Sequence, residues 1–315
     1  MARFLVKRFG QLLITLFLSS IAVFFIIHAV PGSPEVAIAG PNATPEQLAE
    51  VRRRLGLDQP VALQYLYWLG SALKGDLGLS LASQVPVTQL IVERLAATLQ
   101  LIAFTLVVGL SIALPVGTYA ALRPRGVVAA VASVAQVVLL ATPSFWLGIM
   151  FIWLFGLSLR WFTTYSDYIP FFTDPLAALS NSALPALVLG LFMAAVLVRF
   201  VRSSVWDALR EPYIRAVRAK GAQEPRVVVR HALRNGLLPI ITVIGLQMGG
   251  FVGGTVVTES IFNYPGLGRL VFTSVNVRDY PVVQGSLLVV VVSFVVINMI
   301  VDVLYAVLDP RVRVS

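Results

Sequence analysis

Cysteine is absent from this chain, and charged residues are scarce. The lack of cysteine excludes disulfides, thiolate metal sites and a cysteine nucleophile. Only 12% of the 315 residues are charged and 58% are hydrophobic, whereas a soluble domain has roughly 25% charged residues. The two histidines, His28 and His231, are far apart in sequence, so a histidine-rich metal site is not expected. The composition therefore points to a membrane protein.

Long stretches without Asp, Glu, Lys or Arg recur along the chain. They are residues 9–34, 95–122, 126–159, 175–198, 235–258 and 280–301. Each is at least as long as the roughly 20 residues that a helix needs to cross a bilayer. A helix satisfies its backbone polar groups within one segment, as the water-free interior requires. We predict an all-α membrane protein with six transmembrane helices, the first of them uncleaved because no typical signal-peptide cleavage site follows it.

The positions of lysine and arginine predict the orientation. With the N-terminus in the cytoplasm, 16 of the 24 Lys and Arg residues fall in the cytoplasmic segments, which are 1–8, 123–125, 199–234 and 309–315. This distribution follows the positive-inside rule. It explains the net charge of +9 by topology, so nucleic-acid binding is not expected. Both termini are predicted to be cytoplasmic.

The spans divide the chain into four parts. These are the N-terminus with the first helix (1–34), an external loop (35–94), a five-helix core with a cytoplasmic loop at 199–237 (95–308), and a cytoplasmic tail (309–315). The external loop is too long for a simple connection. We predict two helices in it, from Pro45 to Leu55 and from Gln64 to Leu73, since Thr44-Pro45 is typical of a helix start. They would form a small external cap or, alternatively, a mere spacer.

The cytoplasmic loop is predicted to contain two short amphipathic helices. In the first, Glu211, Arg215 and Arg218 share one face by their spacing. Leu209, Tyr213 and Ala216 share another, and the small Ala216 and Ala219 would allow a partner to approach closely. Gly221 suits the left-handed position that often ends a helix. A second helix would start at Pro225 and carry arginines on one face. Such a pair could rest on anionic lipid or dock into a soluble partner.

Sequence motifs in this loop resemble a known family. The segments Ala216–Gly221 and His231–Asn235, followed by Leu238-Pro239, are similar to the cytoplasmic loop of ABC-importer permeases, in particular the dipeptide/oligopeptide/nickel family. The general signature of these permeases is Glu-Ala-Ala, three residues, Gly and a later Leu-Pro. This chain departs from it at Arg215 and Val217 and in a longer Gly-to-Pro interval.

Three further segments carry the same resemblance, so it covers nearly the whole chain. The external loop is similar to that of the first of the two peptide permeases, in Gly56–Pro60, Gln64-Tyr65 and Gly75–Gly78. The last two helices are joined by similar segments, Thr258–Phe262, Tyr264–Gly268 and Arg278–Pro281. The C-terminal Leu308–Arg313 also resembles the family.

The resemblance implies a type I ABC importer permease fold in the bacterial cytoplasmic membrane. It also implies a peptide importer in which this chain pairs with a second homologous permease, two ABC ATPases and an extracytoplasmic substrate-binding protein. The sequence contains no Gly-Lys pair, so a Walker A loop is excluded. We therefore expect no enzymatic activity and no cofactor on this chain, with ATP and Mg on the partners. The residues assigned to ATPase coupling are Glu211, Tyr213, Ala216, Ala219, Lys220 and Gly221, followed by Arg230, Arg234 and Asn235.

Helix 5 carries a second group of candidate residues. Gly245, Gly249 and Gly253 recur every four residues, which lets membrane helices pack closely, either within the subunit or against the second permease. Glu259, at the outer end of this helix, suits an interface or a gate. Thr142-Pro143 predicts a kink in helix 3.

Three alternatives stay open at this point. The same fold could import a nickel chelate or haem. An ion-coupled secondary carrier would usually show an internal repeat, which the sequence lacks. A membrane scaffold would only recruit a cytoplasmic partner.

Overall fold

The computed structural model describes residues 2–29, 43–54, 58–163 and 167–308. This part of the chain is helical, with an isolated bridge between Leu79 and Pro86 and no strand. Up to the middle of the chain the helices are α1 (Ala2–Ala29), α2 (Pro45–Arg54), α3 (Val61–Leu73), α4 (Val87–Leu122), α5 (Val127–Ala141) and α6 (Ser144–Phe151), with a π-helix at Ile152–Ser158. They are followed by α7 (Pro175–Arg210), α8 (Pro212–Ala219), the single turn α9 (Glu224–Arg226), a second π-helix at Val227–Leu233, α10 (Arg234–Gly254), α11 (Val256–Ile261), α12 (Leu267–Asn276) and α13 (Tyr280–Leu308).

Four of the described helices are long and apolar enough to cross a membrane uninterrupted. They contain the segments Arg8–Phe25, Val87–Leu122, Pro175–Arg210 and Tyr280–Val303. Two bent helix pairs, at Val127–Ser158 and Glu224–Gly254, bring the number of spans to as many as six. The predicted six-span, all-α architecture is therefore found, with the third and fifth spans bent.

The third span is broken more sharply than a proline kink. Its two halves, α5 and α6, meet at 104°. Thr142 has extended backbone angles (φ −83°, ψ 129°), as expected for a residue before proline, and Pro143 precedes the first turn of α6. The predicted kink is thus a complete interruption of the helix, because Thr142 leaves the helical region of backbone angles.

The centre of the molecule is the packing of α4 against α7. Small residues let the two backbones approach closely: a β-carbon on Gly190 would lie 2.5 Å from Val108 Cγ1, and one on Gly117 would lie 2.6 Å from Val201 Cβ. Leu197 and Val201 of α7 are completely buried. Helices α4 and α7 thus form the central pair against which the shorter helices pack.

Helix α10 packs against α13 through two of the predicted glycines. A β-carbon on Gly245 would overlap the side chain of Val301, and one on Gly249 would lie 2.9 Å from Phe294. Gly253 is looser, with Val290 at 3.7 Å, and Gly250 has open space beside it. The structure thus places Gly245 and Gly249 in contacts within the chain, one of the two possibilities predicted for this helix.

Valine at position 245 is expected to destabilise the chain by about 1–3 kcal/mol, because it overpacks the α10–α13 contact. Gly250→Val has the same intrinsic helix cost and enters open space, so it serves as the matched control. Thermal unfolding of the two variants in detergent measures the difference. Equal melting temperatures would contradict this packing.

The two helices predicted between α1 and α4 are present in the structure as α2 and α3. Gln47 N donates to Thr44 Oγ1 (3.3 Å), and Thr44 N donates to Gln47 Oε1 (2.9 Å), so a reciprocal capping box starts α2. Helix α3 begins at Val61, three residues before the predicted start, after Pro60. The predicted ends at Leu55 and Gly56, residues 30–34 of the first span and the tail 309–315 lie outside the described residues.

Candidate functional site

The loop predicted to be cytoplasmic, residues 199–237, contains a sharp break after α7. Helix α7 ends at Arg210, Glu211 has extended backbone angles (φ −62°, ψ 145°), and Pro212 starts α8. Proline fits the first helical turn, where no hydrogen bond is lost. The predicted grouping of Leu209 with Tyr213 and Ala216 on one helix is therefore wrong, because Leu209 belongs to α7.

Helix α8 has one buried and one open face. Ile214 is completely buried in the core formed with α7 and α10, and Tyr213 and Val217 are packed against that core. Ala216 and Ala219 are exposed on the other face. Eight residues are too few for a stable isolated helix, so the buried anchor Ile214 holds α8 in place. The open face, with its small alanines, is available to a partner.

The turn after α8 is held by a glycine and an ion pair. Gly221 has φ +80°, which confirms the predicted left-handed residue, and its N–H donates to Arg218 O at 2.9 Å. The Arg218 guanidinium binds Glu224 across this turn, with Nε–Oε1 at 2.7 Å and Nη2–Oε2 at 3.2 Å. Lys220 is exposed beside them. The glycine and the ion pair thus hold the C-terminal end of α8 in a defined conformation.

A π-helix at Val227–Leu233 joins this turn to α10. Tyr213 Oη of α8 donates to the carbonyl oxygen of His231 in the π-helix (3.2 Å), and Asn235 Nδ2 at the start of α10 donates to Tyr213 Oη (2.7 Å). π-Helices are rare and occur frequently at functional sites. The phenol of Tyr213 therefore links α8 directly to the base of α10.

The remaining predicted loop residues lie on the surface. Glu211 is exposed at the start of α8 and makes no side-chain cap, and Arg230 and Arg234 are exposed on the π-helix and on α10. Of the predicted set, Tyr213 and Asn235 are brought into contact. Ala216, Ala219, Lys220 and Gly221 share the open end of α8.

A second polar centre surrounds Glu259, at the end of α11. Its Oε1 accepts from Thr98 Oγ1 of α4 (2.8 Å) and from Thr255 Oγ1 (2.9 Å), and its Oε2 accepts from Arg269 N (2.9 Å). Glu259 is completely buried. It thus binds the first turn of α12, where a carboxylate is favoured by the helix dipole, and ties that turn to α4.

Two glycines of the motif Tyr264–Gly268 make room for this carboxylate. A β-carbon on Gly266 would overlap the Glu259 carboxyl group, and one on Gly268 would lie 2.8 Å from Val256 Cα. Thr98 Oγ1 also accepts from Leu267 N at 2.8 Å. A side chain at Gly266 would therefore displace the Glu259 carboxylate from its hydrogen-bond partners.

Asp279, just after the C-terminal end of α12, is a second buried carboxylate that accepts several hydrogen bonds. Its carboxylate accepts from Ser80 Oγ (2.5 Å), Leu81 N (3.1 Å) and Ala82 N (3.3 Å). Both ends of α12 are therefore attached to the α4 side of the molecule by buried carboxylates. Thr98 and Ser80 were not predicted, because hydroxyl partners so distant along the chain leave no local pattern. Thr255 lies one helical turn before Glu259 and was not predicted either.

Among the described residues, no group of three or more His, Asp or Glu side chains could hold a metal ion.

Comparison with known proteins places these features in a family. Residues 113–314 match the family described as binding-protein-dependent transport system inner membrane component, and residues 1–102 match the N-terminal region of such membrane components. The glutathione transport system permease protein GsiC of Escherichia coli O6:H1 is 39% identical over 313 residues, covering 99% of each chain. Its counterpart in Salmonella choleraesuis is 38% identical over the same length.

A solved structure shares the fold. A chain of the MetNI methionine ABC transporter in inward-facing conformations matches with a TM-score of 0.50 and 20% sequence identity, over 70% of this chain and 97% of that one. The family matches and the relatives together cover almost the full length, in agreement with the resemblance carried by the loop motifs. The chain accordingly belongs to the family of inner-membrane permease subunits of binding-protein-dependent ABC importers.

Proposed function

We propose that this permease subunit forms half of a translocation path for glutathione or other short peptides. The observation that supports this substrate class is the 39% identity to GsiC over 99% of both chains. Short peptides also agree with the resemblance of its motifs to the dipeptide/oligopeptide branch. A nickel chelate and haem are the other substrates that the wider family suggests.

Uptake by the complete transporter tests the substrate class. Cells lacking their own peptide and glutathione importers would express this permease with its neighbouring transport genes, and uptake of radiolabelled glutathione would be measured with and without unlabelled dipeptide, tripeptide, nickel chelate or haem. We expect ATP-dependent glutathione or peptide uptake that only peptides reduce. Uptake of nickel or haem alone would overturn the proposed substrate.

The proposed complex consists of this chain, a second permease, two ABC ATPases and an extracytoplasmic substrate-binding protein. ATP and Mg would bind the ATPases, because this chain has no Gly-Lys pair to form a Walker A loop. The open face of α8 is proposed to dock into an ATPase, with Ala216 and Ala219 at the contact and Gly221 ending the helix. Arg230 and Arg234 would lie beside that contact.

The proposed route for coupling runs from α8 to α10 through Tyr213. A shift of α8 on its ATPase would move the phenol, and the hydrogen bonds to His231 O and Asn235 would carry the shift into the π-helix and α10. ATP must bind the outward-facing state more tightly for such a shift to change the populations.

Phenylalanine at position 213 is expected to keep the ATPases bound but to lower uptake several-fold. The variant retains the ring in the core and loses two hydrogen bonds, each worth about 0.5–1.5 kcal/mol. Co-purification measures retention, and uptake with stimulated ATP hydrolysis measures coupling. Tyr119→Phe, at an exposed tyrosine of α4, is the control. Unchanged uptake by Tyr213→Phe would contradict the linkage.

A further inference from the structure

Helix α3 is apolar on all sides, yet none of its residues is buried. Val61–Leu73 contains no charged residue, and its polar side chains besides the aromatic ones are Gln64 and Ser71. At 1.5 Å per residue it is about 20 Å long, too short to cross a membrane. Helices that are hydrophobic all round are normally covered by protein or lipid.

One face of α3 lies against the first span. Tyr65 Oη and Ser20 Oγ share a hydrogen bond of 2.8 Å. The ring of Phe24 contacts those of Tyr65 and Trp68, with centroids 5.4 and 5.8 Å apart. Ser20 is almost completely buried, although most of the first span is exposed. Helix α3 therefore covers a polar group of α1.

The position of Ser20 gives the depth of this contact. Arg8 is the last charged residue before the charge-free stretch 9–34, and Ser20 lies twelve residues after it, about 18 Å along the helix axis. The contact with α3 is thus within the length of the span that crosses the hydrocarbon.

The opposite face of α3 is uncovered and apolar. Leu66, Tyr67 and Leu73 have exposed fractions of 59%, 69% and 80%, and the space beside Gly70 is open. Helix α1 also has exposed apolar side chains, such as Leu18 and Phe25. By contrast, α2 carries three arginines and two glutamates in ten residues.

We propose that α3 lies in the membrane interface, with the face formed by Leu63, Leu66, Tyr67 and Leu73 in contact with the acyl chains of the leaflet opposite the N-terminus. The charged residues Asp58 and Lys74 on either side of α3 would remain at the level of the headgroups. Tyr and Trp, which α3 contains at three positions, are the residue types enriched near membrane interfaces. The segment between the first two spans thus has a membrane-embedded helix as well as a charged one. This assignment requires only that the chain is a membrane protein, so it does not depend on the proposed substrate.

Accessibility of a nitroxide label tests this placement. The chain has no cysteine, so a single cysteine at Leu66 or, as a second variant, at Tyr67 labels one site in it. The labelled permease is assembled with partner subunits whose own accessible cysteines have been replaced. The full transporter is reconstituted in phosphatidylethanolamine–phosphatidylglycerol vesicles without binding protein. Leu18→Cys is the lipid control and Gln47→Cys on α2 is the water control. Variants that retain uptake would be compared by power saturation with oxygen and with a water-soluble nickel chelate.

We expect the labels at 66 and 67 to relax like the Leu18 label, with high oxygen and low nickel accessibility. Relaxation like the Gln47 label would place α3 in water and overturn the proposal. Low accessibility to both reagents would place a protein subunit on this face, and protection that appears only after binding protein is added would make it a docking surface for that protein. Either of these results also overturns the lipid assignment.

Discussion

Tryptophan in place of Ala216 is expected to release the ATPase subunits while the permease still inserts and folds. Ala216 is exposed on the open face of α8, so the indole adds no strain inside the chain. At a close contact, overpacking costs about 1–3 kcal/mol, which weakens binding by about 5- to 150-fold. The amount of ATPase that co-purifies with the tagged permease measures this loss.

Two controls separate docking from general damage in this experiment. Ala216→Ser changes the volume little and is expected to keep the ATPases bound. Ala130→Trp makes the same large substitution at an exposed alanine of α5, outside the loop, and is also expected to keep them. Undiminished co-purification and ATP hydrolysis with Ala216→Trp would show that α8 is not the docking element.

Alanine in place of Glu259 is expected to destabilise the permease and abolish uptake. The substitution leaves the hydroxyls of Thr98 and Thr255 and the backbone N–H of Arg269 without their acceptor, and each unsatisfied buried group costs about 1–3 kcal/mol. It would also release the first turn of α12 from α4. Thermal unfolding in detergent and uptake in cells are the two measurements.

Glutamine at position 259 should have a smaller effect than alanine. The amide oxygen keeps an acceptor toward the N–H group of Arg269, and the NH₂ group can donate to the two threonines. Glu93→Ala, at an exposed carboxylate of α4, controls for charge removal and should leave stability unchanged. Equal melting temperatures for Glu259→Ala, Glu93→Ala and the wild type would contradict the anchoring role.

Helix α10 connects the two polar centres. It starts at Arg234, beside the contact between Tyr213 and Asn235, and ends at Gly254, next to Thr255 and Glu259. The span is bent by 52° between Glu224–Leu237 and Pro239–Gly254, and the part from Pro239 to Gly254 is about 24 Å long at 1.5 Å per residue. In the proposed coupling, a displacement at the α8 end would reach Glu259 and α12 through this bent helix.

The spans could be predicted from the sequence because charge is excluded from lipid wherever the backbone crosses it. Gly221 could also be predicted, because a helix that ends in a left-handed residue favours glycine at that one position. The kink at Thr142-Pro143 was predicted but not its angle of 104°, because proline indicates a break without fixing how far the next helix turns. The two π-helices were not predicted.

The hydrogen-bond partners of Glu259 also could not be predicted from the sequence. Thr98 is 161 residues away, and a threonine in an apolar helix has no signature that distinguishes a partner from a packed side chain. Spacing alone could not show that Arg218 pairs with Glu224. On a continuous helix Glu211 would lie on the same face as Arg218 and would be an equally good partner. The start of α8 at Pro212 leaves Glu211 outside it.

Labelling of a cysteine at position 220 tests the central claim most directly. Lys220→Cys introduces the single thiol of the chain, at the exposed end of α8. In intact cells that lack the ATPases, a membrane-impermeant maleimide is predicted to leave it unmodified, and to modify it after the membrane is permeabilised. With the ATPases bound, modification in permeabilised cells should fall. Modification in intact cells would place α8 outside the cytoplasm and contradict the proposed coupling.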